Sequence, residues 1–246
     1  MSRIPKTIYQ TFESSTFSEP FQTIINSWKE KNPGYTYCFY DKDQRSAFLK
    51  ENFDERVIRA YNRIIPGAYK ADLWRYCILY LYGGIYVDVD TLCLGSLDDF
   101  ITEDTELMVP IDLNTSPSEG KHNLSNGFIA TAPKSPVLFD CIERVLSNVE
   151  NNREPPSKLD FAGPGVLGRS VNTYLGLPET ESFLGKEGHV KNIHFLHFNR
   201  ENEYVGDRTN ILFQNKNGNP LISRLYGDEM KKHNVVFWVT ADKVLE

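Results

Sequence analysis

Asp88 and Asp90 stand one residue apart at the end of LYLYGGIYVDVDTLCLG, residues 79–95. On an extended strand, residues i and i+2 share a face with Cα atoms about 6.6 Å apart, so the two carboxylates can converge on one cation. Carboxylates prefer hard cations such as Mg²⁺ or Mn²⁺, and two protein ligands leave positions open for phosphate oxygens and water. Asp-x-Asp by itself is also a common solvated strand end. Its setting here is an apolar strand entered through Gly83-Gly84, a pair that either brings backbone close to a ligand or stops a helix. Upstream, Asp72 and Arg75 lie at i and i+3, neighbours on a helix surface. They make either an exposed ion pair of small energetic worth or a polar handle for sugar hydroxyls in a cleft.

The elements that must position these residues follow from periodicity. Residues 4–12 (IPKTIYQTF) read as a first strand whose end borders a crevice, residues 19–31 as a helix closed by Asn32-Pro33-Gly34, and residues 35–40 as a second strand. A polar helical stretch covers 43–63. Over 68–82, Ala71, Trp74, Ile78 and Leu81 recur at spacings of three and four, predicting a helix with one apolar stripe that Gly83 and Gly84 terminate. Strands are expected at 85–88, 107–111, 127–132 and 190–198, with helices at 137–149 and 165–175. Residues 113–125 read as a loop, and 211–215 with 235–240 as a strand-rich extension. The alternation predicts a single α/β domain over 1–246 with its chemistry at the carboxyl ends of the strands.

Bulk properties narrow the function. The chain has 246 residues, 40% hydrophobic and 13% aromatic, enough for a substantial core. A formal net charge of −6 argues against a general nucleic-acid binder, which needs a basic face to displace counterions. Cys38, Cys77, Cys93 and Cys141 have no metal-ligand spacing and suit a reducing compartment. No apolar run reaches the length of a signal-peptide core or a membrane span, so the expectation is a cytoplasmic protein without a transmembrane segment.

The string AYKADLWRYCILYLYGGIYVDVDTL closely resembles the signature of glycosyltransferase family 32, the DXD sugar transferases. IPKTIYQTF, NPGYTYCFYD and SNGFIATAPKSPVL resemble further blocks of that family, together covering roughly residues 4–140. The resemblance implies a GT-A type nucleotide-binding fold, with a mixed, mostly parallel sheet flanked by helices. It also implies a retaining enzyme that uses Mn²⁺ or Mg²⁺, a UDP- or GDP-sugar donor, and a glycan or other hydroxyl acceptor. Residues to about 112 would form the donor half and 113–246 the acceptor side. By position, Asp90 resembles the direct metal ligand and Asp88 the carboxylate that meets ribose and metal. Asp72 and Arg75 match positions that hold the donor sugar, and these four form the expected catalytic set. Tyr9, Gln10 and Thr11 match the nucleotide end of the first strand. Gly84 and Val89 flank the motif as further nucleotide-sugar contacts, and Asn126 and Gly127 match a block between donor sugar and acceptor. Tyr9 and Phe12 stand where the family commonly has His and Trp. His197 and Trp238 are candidates for a late diphosphate contact. Relatives that carry a membrane anchor are eukaryotic, so the resemblance suggests a bacterial or viral setting.

Charge builds on a phosphate oxygen as a sugar nucleotide loses its diphosphate, and a cation at Asp88 and Asp90 would stabilise that leaving group. The alternative is a haloacid-dehalogenase-like phosphohydrolase using Asp88 and Asp90. That motif does not account for Asp72, Arg75 and the glycine pair. Glycosidase carboxylates must flank the scissile bond, whereas neighbours on one strand face the same side.

Overall fold

The computed structural model describes residues 3–112, 120–153, 155, 157–199, 204–207, 210–236 and 243–246. The chain begins with β1 (Thr7–Thr11), α1 (Glu19–Lys31) and β2 (Thr36–Tyr40), a parallel βαβ unit in the register Tyr9↔Cys38. The polar stretch that follows is two helices, α2 (Lys42–Asn52) and α3 (Glu55–Arg63). Each has its own start signal: Asp41 forms a capping box with Gln44, and the Asp54 carboxylate accepts from Arg56 and Val57 N–H. The polar pattern runs through both helices because Phe53 and Asp54 are too short a break to disturb it.

Helix α4 (Gly67–Tyr82) leads into β3 (Gly84–Val87) and β4 (Thr91–Cys93). Then come β5 (Leu107–Pro110), β6 (Phe128–Thr131), α5 (Pro136–Glu150), α6 (Pro164–Leu175), β7 (Gly188–Val190), β8 (Ile193–Asn199), β9 (Tyr204–Gly206), β10 (Ile211–Asn215) and α7 (Pro220–Lys232). The strands form one sheet in the order β2-β1-β3-β6-β5-β8-β9-β10-β4, with β7 on β8. The sheet is mixed, as expected, but not mostly parallel. Parallel pairing is confined to β2-β1-β3 and β5-β8, and the other described pairings are antiparallel. Helices lie between the strands of each parallel pair, and short connections link the antiparallel run β7, β8, β9 and β10. Strand β4 follows β3 in sequence yet pairs with β10 at the opposite end of the order, so the sheet curls back on itself.

Alternation along the strands divides the core. Tyr9, Tyr86 and Val109 join one cluster with Trp74, Tyr76 and Ile78 of α4 and with α5 and α6. Ile8, Ile85, Val87 and Met108 face the other way, onto Trp28, Phe128 and Phe213. Helix α4 departs from the one-stripe expectation: every residue from Ala71 to Leu79 is buried, Asp72 and Arg75 included. Helix α7 starts at Asn219, whose side chain accepts from Leu221 and Ile222 N–H. The Asn-Gly-Asn-Pro run reads locally as a turn, and here it is a helix start. Trp238 and most of the apolar stretch expected at 235–240 lie outside the described residues, as do 113–119 of the expected loop. Among the described residues no helix is long and apolar enough to cross a membrane.

The glycine pair shapes the entry to β3. Gly83 caps α4 at φ +65°, and Gly84 at φ +101° lies so close to β1 that a Cβ would sit 2.7 Å from the Thr7 carbonyl oxygen. Gly84→Ala should therefore cost about 2 kcal/mol or more, read as a lower urea midpoint with unchanged slope. An unchanged midpoint would show that β1 yields to a side chain there.

Candidate active site

Strand β3 ends at Val87, and Asp88, Val89 and Asp90 form a turn before β4 begins at Thr91. The aspartates are thus on a turn rather than an extended strand. The chain must leave β3 and cross to the β10 edge, and among the described residues no strand pairs along Asp88–Asp90. Neighbouring segments fix the turn. The Asp88 N–H donates to the Gly127 carbonyl at 2.8 Å, and the Asp88 carbonyl accepts from Thr91 Oγ1 at 2.6 Å and Gln10 Nε2 at 3.2 Å. Tyr37 holds Gln10 by donating its hydroxyl at 2.7 Å. Val89 is buried among Phe12, Phe21, Ile24, Ile25 and Ile222, anchoring the tip.

Arg75 organises the carboxylates. Its Nη2 lies 3.1 Å from Asp72 Oδ1 and 3.4 Å from Asp88 Oδ1, and Nη1 donates to the Asn126 carbonyl at 2.6 Å. The guanidinium lies over the Tyr86 ring, 4.2 Å from its centroid, and the Tyr86 hydroxyl donates to Asp88 Oδ1 at 2.7 Å. Asn126 Nδ2 donates to Asp72 Oδ1 at 2.9 Å. Burial pushes the Asp72 carboxyl up to about 6, against the lowering by Arg75. Burial also raises Asp88, with Arg75 opposing and the like charge of Asp90 adding to the rise.

These groups face a cavity of about 460 Å³, within the range of small-molecule sites. Thr11, Asp72, Arg75, Asp88, Val89, Asp90, Asn126 and Gly127 all line it, so the structure brings most of the expected site together. Three expected residues stand apart. Tyr9 is core, on the α4 face of β1. Gln10 is fully buried and reaches the site through the Asp88 carbonyl. Gly84 opens β3 while the aspartates follow its far end, so its role is the close approach to β1. His197 lies on β8, 3.8 Å from the Glu187 carboxylate and outside the cavity lining.

Other lining residues were not legible in the sequence. Lys216 Nζ contacts the Asp90 carboxylate, and it arrives from 126 residues away in the chain. Arg45 is buried, bonded to Thr11 Oγ1 at 2.7 Å and paired with Glu13 at the cavity wall. Tyr86 did carry a signal, since it lies on β3 only two residues before Asp88 in the sequence.

The donor set suits a hard divalent cation. Two adjacent carboxylates repel one another, and the positive charge that Asp90 now meets is a lysine ammonium. Among the described residues no group of three or more His, Cys, Asp or Glu residues could hold a metal, so a cation on Asp88 and Asp90 would keep open positions for ligand oxygens.

The family described as a glycosyltransferase sugar-binding region containing a DXD motif matches residues 18–107, which span α1 to β5 and include Asp72, Arg75, Asp88 and Asp90. Over that segment the chain is similar to these DXD-containing glycosyltransferases. Inositol phosphoceramide mannosyltransferase 1 of Schizosaccharomyces pombe is 28% identical over 184 residues, 72% of this chain and 54% of that protein. An uncharacterized glycosyltransferase of Acanthamoeba polyphaga mimivirus is 35% identical over 160 residues, 61% of each. The chain spans about half the length of several curated relatives it matches. The PaToxG glycosyltransferase structure superposes with a TM-score of 0.55 over 70% of each chain at 18% identity, in keeping with a GT-A fold for this chain.

Two expectations follow. Because the Asp72 carboxyl is raised, its neutral form is the one folding favours: its contribution is full below about pH 4 and is lost as pH rises towards about 6. Asp72→Asn should flatten the stability profile between those values, measured by urea unfolding; an unchanged slope would contradict the shift. A Cβ on Gly127 would come 2.7 Å from Asp88 Oδ2. Gly127→Ala should lower sugar transfer about tenfold or more by displacing that carboxylate, while unfolding stays within about 1 kcal/mol of wild type.

Proposed function

We propose that this glycosyltransferase moves a hexose from a UDP- or GDP-sugar to a hydroxyl of a glycan or other acceptor, with retention of configuration, using Mn²⁺ or Mg²⁺ held by Asp88 and Asp90. The observation that carries this reading is that one cavity joins the aspartate turn to the buried Asp72, Arg75 and Asn126 group. A diphosphate needs positive charge, and a sugar needs fixed acceptors and donors a few ångströms away; the two features supply these in adjacent places. The relatives named mannosyltransferases make mannose the first sugar to test.

Each residue has a derived task. Asp72 and Asn126 present a carboxylate and an amide to the sugar hydroxyls, and Arg75 fixes Asp72 and Asp88 in one orientation. Asp88 and Asp90 would hold the cation, which when bound supplies Lewis-acid stabilisation of the diphosphate leaving group. Thr11 and Val89 line the same cavity and would border the nucleotide. Residues to about 112 form the donor half, and 113–246 the acceptor side. The setting of the reaction is proposed as cytoplasmic.

Thermal-shift measurements with UDP- and GDP-sugars, each with and without Mn²⁺, test the reading. One nucleotide class should stabilise the protein in a metal-dependent way, by about 2.7 kcal/mol at a hundredfold excess over Kd, and Asp90→Ala should abolish the effect. Absence of stabilisation by any nucleotide sugar, with hydrolysis of p-nitrophenyl phosphate, would replace transfer by phosphate hydrolysis.

A further inference from the structure

Lys216 follows β10 directly, in a 3₁₀ turn over Lys216–Gly218. The antiparallel register Asn215↔Thr91 fixes the residue before Lys216 beside the residue after Asp90. Asn215 caps the turn, its side-chain oxygen accepting from Asn217 N–H at 2.9 Å and Gly218 N–H at 3.4 Å. The ammonium contacts Asp90 Oδ2 and lies 4.4 Å from the centre of the Tyr226 ring on α7. Lys216, Asn215, Asn217 and Tyr226 all line the same cavity as the aspartates. A lysine on a free loop would lose several rotors' worth of entropy in making such a contact, whereas strand register, cap and ring hold this one in place.

We propose that Lys216 is the built-in counter-ion of the aspartate pair, displaced from Asp90 by a divalent cation and retained in the cavity to meet the anionic diphosphate. This rests on the transfer reading above. The electrostatics give it two linked consequences. A metal ion and an ammonium compete for one carboxylate, so Lys216 weakens binding of metal alone. Once a diphosphate adds negative charge, both cations are favoured together, and metal and nucleotide strengthen each other's binding reciprocally. Lys216 thus makes the metal site selective for the nucleotide-bound state. It is a positioning residue for the aspartates before metal arrives and a contact for the donor afterwards.

The test is titration of the full chain with Mn²⁺, followed by the EPR signal of free Mn²⁺, first without nucleotide and then with UDP or GDP. Lys216→Met should bind Mn²⁺ alone about tenfold or more tightly than wild type, while Lys216→Arg, which keeps the charge, should not. The gain in Mn²⁺ affinity that UDP or GDP confers should be smaller in Lys216→Met than in wild type. Equal or weaker binding of Mn²⁺ alone by Lys216→Met overturns the inference. Should that variant fail to fold, Tyr226→Leu removes the ring that holds the ammonium; tighter Mn²⁺ binding supports the inference and unchanged binding overturns it. A wild type that binds no Mn²⁺ in any condition overturns it as well, and sugar transfer measured in EDTA then shows whether transfer itself stands without metal.

Discussion

A buried guanidinium sets the geometry of this molecule. Arg75 is 5% exposed, and water cannot solvate its charge. Asp72, Asp88, the Asn126 carbonyl and the Tyr86 face do so instead. Each of these comes from a different place: one turn back along α4, the exit of β3, the approach to β6, and β3 itself. Removing one partner of such a buried pair typically costs about 3–5 kcal/mol, because the other charge is stranded. The contact therefore ties the central helix to the middle of the sheet and places two carboxylates on the cavity wall at once. The α4 helix, buried on every side, is the scaffold that permits this. Its apolar residues hold it between the sheet and α5, and its polar pair points at the crevice.

Charge bookkeeping explains how a chain of net charge −6 could accept the anionic donor proposed for it. The site concentrates carboxylates, but it also carries Arg75 and Lys216, and it offers the aspartate pair to a divalent cation. Local field, rather than net charge, decides what enters. The strain of holding like charges together is visible in the raised Asp88 carboxyl. Burial is the larger cause of that rise and the neighbouring Asp90 charge adds to it, so a cation bound between the two carboxylates would relieve both.

Much of the site was legible because its signals are local. The i, i+3 spacing of Asp72 and Arg75, the glycine stop and Asp88-x-Asp90 all fall within 19 residues, and the βαβ start follows from ordinary helix and strand periodicity. The parts that were not legible depend on distant pairing. Lys216 joins the site only because β10 pairs with β4, a register that no spacing in the sequence encodes. Periodicity placed Asp88 and Asp90 on a strand; the need to cross from one side of the curled sheet to the other makes them a turn. Tyr9 matched a block by position, yet alternation along β1 sends its ring into the core, and Gly84 serves backbone contact with Thr7. Helix α7 was hidden behind an Asn-Gly-Asn-Pro run whose last Asn is a cap.

The central claim is that the Asp88–Asp90 turn is a cation site facing a diphosphate. Its most direct measurement is anomalous diffraction from crystals grown with Mn²⁺ and UDP or GDP. The account predicts a single strong anomalous peak within coordination distance of the Asp88 and Asp90 carboxylates, with diphosphate oxygens completing the shell and Lys216 moved off Asp90. Nucleotide density in the cavity with no anomalous peak at the turn, and Lys216 still on Asp90, would contradict it.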